Sequence, residues 1–251
     1  MQLVPGLPCP LQPVMIKEIG FSWPIASTMS SPHSDRVFRR ALIWAGSTFL
    51  GVQQADWIAA VLQPQIHVSV ASGDEETFRS EFSSPEYDAV WVTTHGEFDH
   101  MDPHRSKLVI DEGTEMTFND LRRIPTPAQD RRLLVLDACD SGAEPIYGGL
   151  SSLGFGPLLA SSNQAVICYR WPVEQFASAV FNVLLALGLR TRSFYGAYEF
   201  AVITIIQGKQ RTIQELAEVL GQDHDLVRRI RDNESIRWNT LAFWGSAAFL
   251  E

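Results

Sequence analysis

The 251 residues, 45% of them hydrophobic, suffice to bury a sizeable core in one large α/β domain or two small ones. A formal net charge of −9, with arginines scattered among acids, leaves no basic stripe for neutralising phosphates and excludes nucleic acid as a direct ligand. No apolar run reaches the roughly 18–20 uncharged residues of a membrane helix, and four prolines break the opening MQLVPGLPCPLQPVMIKE, so neither a membrane partner nor a signal peptide is expected.

Residues 1–36 are the most irregular stretch and read as an irregular or hairpin lead to a domain over 37–251. Beyond them the periodicity predicts a strand at 41–45, a helix at 50–62, a strand at 66–71, a helix at 74–82 and a strand at 89–94. It continues with a helix at 117–123, a strand at 133–138, a helix at 149–161 and a strand at 165–169, then helices at 174–188, 193–207 and 212–220. The strands are short apolar or β-branched runs, as in strands buried on both faces. No repeat or low-complexity tract interrupts them. Strands alternating with helices imply an α/β fold, a twisted and mostly parallel sheet with helices on both sides. In such sheets reactive groups gather beyond the carboxyl ends of the strands, where strand order reverses.

Two strand ends carry chemistry. AVWVTT runs into His95 and Gly96, and LLVLDA runs into Cys139, Asp140, Ser141 and Gly142. Adjacent parallel strands would bring His95 and Cys139 together. A cysteine nucleophile needs a base to supply its thiolate, and an imidazole is suited to that task. Gly96 lets its N–H approach a ligand without a Cβ in the way, and with the N–H of Cys139 it would form an oxyanion hole. Either residue alone would read as a structural thiol or a loop histidine; the pair points to catalysis.

Other residues are assigned less chemistry. His95, Asp99, His100, Asp102 and His104 offer metal-ligand types, but they lack a spacing such as HExxH and read as an exposed loop. No metal or other cofactor is therefore expected. Ser141 has no GxSxG elbow, and no GxxxxGK phosphate loop occurs in the chain. Cys9 and Cys168 read as packing or surface thiols. Three cysteines without CxxC spacing argue against a disulfide framework and for a reduced, cytoplasmic compartment. The apolar helix at 174–188 and the aromatic tail read as core.

The stretches YDAVWVTTHG (87–96), LLVLDACDSG (133–142), GGLSSLGFGPLLASS (148–162), AVICYRWPVEQFASAVF (165–181) and FWGSAAF (243–249) resemble caspase-like peptidases of the CHAT branch. The resemblance spans nearly the whole chain. It implies a caspase-like three-layer sandwich over 37–251 and a Cys-His dyad made of Cys139 and His95. It also implies a protein substrate and an activating sensor or regulatory protein as partner, since relatives often carry sensor or repeat domains. Bacterial defence or programmed cell death is the role suggested by analogy. A catalytically silent, caspase-like interaction module is the competing reading.

The chain departs from the commoner family wording at Asp137, Asp140 and Glu174. Relatives with Asp-x-Cys tend to cleave after Arg or Lys, and a carboxylate at the pocket floor supplies the reason, since it pairs with a cationic side chain. Asp137, two residues before the nucleophile, would face that pocket; equally, it would cap backbone N–H groups at the strand end. Asp88 and Asp140 are second candidates for binding the substrate. Trp171, in the Trp-Pro-Val element at 171–173, looks like the wall of the substrate cleft. No acid stands out to orient His95.

Overall fold

The computed structural model describes residues 37–250 apart from 47, 49, 100, 101, 103, 104, 127–130, 140, 142–154, 239, 241, 242 and 244. The lead at 1–36, with Cys9, lies outside the described residues.

In chain order the elements are β1 (Arg40–Ala45), α1 (Gly51–Leu62), β2 (His67–Ala71), α2 (Glu75–Ser83), β3 (Ala89–Thr93), β4 (His95–Glu97), β5 (Lys107–Asp111), β6 (Thr114–Thr117) and α3 (Phe118–Arg122). They continue with β7 (Arg132–Asp137), α4 (Phe155–Leu159), β8 (Gln164–Tyr169), α5 (Gln175–Leu189), α6 (Phe194–Ile206), α7 (Lys209–Leu220), α8 (Asp225–Asp232) and β9 (Ala247–Leu250). Six strands form one sheet in the order β2-β1-β3-β7-β8-β9. All neighbours in it run parallel except β9, which pairs antiparallel with β8. No helix among the described residues is long and apolar enough to cross a membrane.

The two-residue period of the strands explains the layers. Ile43, Trp91, Val135 and Ile167 face one core, where they meet Ile58 of α1, Val180 of α5, Tyr198 of α6, Leu216 of α7 and Val227 of α8. Their neighbours Leu42, Val90, Leu134 and Val166 face the other, with Phe78 of α2, Leu121 of α3 and Phe155 of α4. These side chains are almost entirely withdrawn from water. Each such burial contributes about 1.5–3 kcal/mol, so a polar residue on these strands survives only where the sheet ends. The expectation of burial on both faces fails for 66–71. β2 is the sheet edge, and His67 and Val70 are exposed.

Local chemistry sets the helix starts. The Asp74 carboxylate accepts from Thr77 N, Thr117 and Asp120 form a reciprocal capping box, and the Glu174 carboxylate accepts from the N–H groups of Phe176 and Ala177.

Four strands and one helix go beyond the predicted set: β4, β5, β6, β9 and α8. β4, β5 and β6 make a small antiparallel sheet in that order. The β5–β6 turn carries Gly113 at φ 77, a left-handed conformation that favours glycine. Trp44 Nε1 on β1 donates to the carbonyl of Ile110 at 2.8 Å, and the Thr94 hydroxyl donates to the carbonyl of Val109. The small sheet is thereby fastened to the large one beside the end of β3.

Candidate active site

Strand order reverses around β1, because β2 lies on one side of it and β3 on the other. At the carboxyl ends of β1, β3, β7 and β8 a cleft opens. Thr48 and Leu50 line it after β1, Thr93 to His95 at and after β3, Asp137 to Cys139 at and after β7, and Tyr169 and Val173 at and after β8. Gln54, Gln175 and Ser178 enter from the helices.

The last paired residues of β3 and β7 are Thr93 and Asp137. Thr94 N then donates to the carbonyl of Asp137 at 3.0 Å, after which the two chains diverge. His95 opens β4 with an exposed side chain, while Cys139 turns away from β7 half-buried, and both line the cleft. Gly96 lies against the Cys139 turn. A Cβ built on it would stand 2.5 Å from the carbonyl oxygen of Cys139 and 3.2 Å from Ala138 Cβ.

Ser141 fastens that turn from beneath. It is fully buried; its hydroxyl donates to the carbonyl of Leu136 at 3.0 Å and accepts from Tyr169 N at 3.0 Å. Its own carbonyl accepts from Gly156 N at 2.8 Å. Ser141 is thus a clasp between β7, β8 and α4.

Asp137 forms the cleft floor. Its Oδ2 accepts from Gln54 Nε2 at 2.5 Å, and its Oδ1 accepts from the Ser178 hydroxyl. Burial pushes its carboxyl above the ordinary carboxylate value, opposed by bonds from Ser178, Gln54, Thr93 and Asn182. Ser178 has one hydroxyl proton and gives it to Asp137. Its contact with Tyr169 Oη, at 3.0 Å, therefore uses the phenol proton. Burial, then the Asp137 charge, holds the Tyr169 phenol well above its ordinary value, so that proton stays in place.

A family described as the CHAT domain matches residues 24–250. The chain belongs to the CHAT domain family. That family is related to the caspase-like cysteine peptidases, and the three-layer arrangement described above is the caspase-like fold. No curated protein matches the chain.

Within this CHAT domain, two residues expected to bind substrate are not brought into the cleft lining. Asp88 lies at the opposite end of β3 from His95, where its carboxylate accepts from the N–H groups of Arg39 at 2.8 Å and Arg40 at 2.9 Å. It anchors the entry to β1, a strand's length from the cleft. Trp171 is half-buried and is not part of the cleft lining; Val173 is the residue of the 171–173 element that reaches it. Asp140 lies outside the described residues. Glu174 is an exposed helix cap, turned to its own backbone.

The loop after β4 has internal bonds of its own. Asp99 N donates to Ser106 Oγ, Asp102 N donates to Asp99 Oδ1, and Asp102 pairs with Arg105. Among the described residues no group of three or more His, Cys, Asp or Glu side chains could hold a metal ion; His100 and His104 are outside them. Cys168 is buried, with its Sγ where a Cβ on Gly156 would fall, so it packs β8 against α4.

The helix read purely as core carries part of the floor. Ser178 and Asn182 are one turn apart on one face of α5, and Asn182 Nδ2 lies 3.4 Å from both Tyr169 Oη and Ser178 Oγ. Gln54, 2% exposed, plays the matching part on α1. A detectable signal existed: serine and asparagine at i, i+4 in an otherwise apolar helix need buried partners.

Proposed function

We propose that this CHAT domain is a cysteine endopeptidase that cleaves a protein substrate after a basic residue. The observation carrying this reading is a cleft shared by His95, Cys139 and the buried carboxylate of Asp137, at the carboxyl ends of adjacent parallel strands.

His95 takes the thiol proton of Cys139, and the thiolate attacks the scissile carbonyl carbon. The carbonyl π pair moves onto oxygen, where the N–H groups of Gly96 and Cys139 hold the oxyanion. Collapse of the tetrahedral species expels the amine, protonated by the imidazolium, and leaves a thioester on Cys139. Water, deprotonated by His95, attacks that thioester; the carboxylic product leaves and the thiol is restored. Asp137 contributes the counter-charge for a Lys or Arg side chain at P1, the residue on the amino side of the cut.

The free thiols of Cys139 and Cys168 support work in a reducing compartment, the cytoplasm. An activating sensor or regulatory protein and a role in bacterial defence or programmed cell death are carried over from relatives.

The test is turnover of fluorogenic peptides differing at P1 under reducing conditions, with Cys139→Ala and His95→Ala alongside. Activity lost in both variants supports the dyad, and activity surviving Cys139→Ala excludes it. Silence of every form, with or without partner proteins, favours the interaction-module reading.

A further inference from the structure

We infer that the cleft selects lysine over arginine at P1, because the donors gathered around Asp137 leave a place for an ammonium and none for a planar guanidinium fork. This rests on the peptidase reading above and makes its substrate class narrower.

The argument begins with who already occupies the carboxylate. An ionised carboxyl offers about four lone-pair sites on its two oxygens. Gln54 Nε2 takes one on Oδ2 and the Ser178 hydroxyl takes one on Oδ1. Behind those two donors stand Thr93 Oγ1, 3.3 Å from Gln54 Nε2, and Asn182 Nδ2, 3.4 Å from Ser178 Oγ. The two donors come from α1 and α5, so each oxygen is already held by a different helix.

Arginine pairs best through two parallel N–H···O bonds, which need both carboxylate oxygens presented along one edge. To make them here it would have to displace Gln54 from one oxygen and Ser178 from the other. Ser178 is buried, 3.0 Å from Tyr169 Oη and 3.4 Å from Asn182 Nδ2, and is locked in that network. Asp137 is also the single acid among the described residues that line the cleft, so no second carboxylate meets the far side of a guanidinium.

An ammonium asks for less. It is a compact charge with three donors, and each takes whichever oxygen is near. Gln54 is the donor able to give way, because its amide swings on a flexible stem and offers an oxygen as well as an NH2. Its withdrawal frees Oδ2 of Asp137 and also Thr93 Oγ1, which its Nε2 contacts at 3.3 Å. Thr48 Oγ1, on the cleft wall after β1, is buried with no hydrogen-bond partner and adds a third oxygen. One carboxylate oxygen and two hydroxyls suit the three N–H bonds of lysine.

The experiment compares kcat/KM of the full chain for peptides identical except for lysine, arginine or norleucine at P1. Lysine should exceed arginine by about tenfold or more, the scale of a hydrogen bond to a charged group left unmade, and should exceed norleucine by a wider margin. Gln54→Ala should raise the arginine substrate and narrow the ratio; if that variant does not fold, the wild-type ratio decides alone. Arginine equal to or better than lysine overturns the selection and leaves the basic-P1 reading standing. Norleucine at or above both removes the basic-P1 reading itself. Should the resting chain turn over no peptide, the same residues carried on acyloxymethyl ketones give the ratio as labelling rates, since the Cys139 thiolate displaces their carboxylate to form a thioether. No labelling by any of the three contradicts both readings.

Discussion

The α-carbon of Gly96 is packed so closely on the turn of Cys139 that a single added methyl group would stand 2.5 Å from the Cys139 carbonyl oxygen. The residue after the proposed base is therefore packed directly on the backbone of the proposed nucleophile. Gly96→Ala should push β4 away from the turn. We expect kcat/KM to fall by about 10²-fold, the scale set by a displacement of about 1 Å in a reacting constellation. The thermal unfolding midpoint should fall only as far as about 1–3 kcal/mol of overpacking implies. Full activity in Gly96→Ala would mean that the two segments are free to separate without consequence.

Asp137→Asn keeps the size of the side chain and removes its charge. Cleavage after a basic residue should fall by about 10²-fold or more, as expected when a buried charge loses its partner, while cleavage after an uncharged residue changes little. Parallel kcat/KM measurements on the two substrates check this. Equal losses would take Asp137 out of the pocket and leave it as a strand-end anchor.

The same variant has a pH signature in stability. Burial raises the Asp137 carboxyl above its ordinary value, so the folded chain binds that proton more tightly than the unfolded chain does. The contribution is complete below the unfolded value and is lost as pH rises through the folded one. The groups packed around the carboxyl are Gln54, Thr93, Tyr169, Ser178 and Asn182, and of these only the Tyr169 phenol titrates, far above this window. Urea unfolding between about pH 4 and 7 should show wild-type stability falling relative to Asp137→Asn as pH increases. A difference that rises with pH contradicts the direction of the shift.

Ser141→Ala removes the clasp beneath the Cys139 turn. It leaves the buried Tyr169 N–H without its partner and should cost about 1–3 kcal/mol in chemical denaturation. Because the Leu136 and Tyr169 backbones both set the cleft, kcat should fall as well, and Ser141→Thr should not restore it in a site with no exposed surface. Unchanged stability and unchanged kcat would remove Ser141 from any positioning role.

Physical reasons separate what was legible in the sequence from what was not. β1, β3, β7 and β8 are apolar on both faces because they are central and parallel, so their runs stand out. His95 and Cys139 stood out for a related reason: each directly follows such a run, or falls within two residues of its end. β4 has three residues and β6 four, too few for a period to register, and β9 was hidden in a tail of small and aromatic residues. The Asp-Glu-Gly turn of 111–113 between LVI and MTF was a usable hairpin signal for β5 and β6.

The floor of the cleft is a tertiary property. Gln54, Ser178 and Asn182 sit on helices far from Asp137 in sequence, and only the packing of α1 and α5 on one face of the sheet gathers them. Asp88 shows the converse case. It borders the right strand, but direction along a strand decides which end a residue serves, and residue type alone does not carry that information.

The most direct measurement of the central claim is mass spectrometric mapping of the adduct formed with a peptidyl acyloxymethyl ketone bearing a basic P1 residue. One adduct on Cys139, absent from Cys168, and slowed by about 10²-fold or more in His95→Ala, is the predicted result. An adduct on another residue, or an equal rate of Cys139 labelling without His95, would contradict the account.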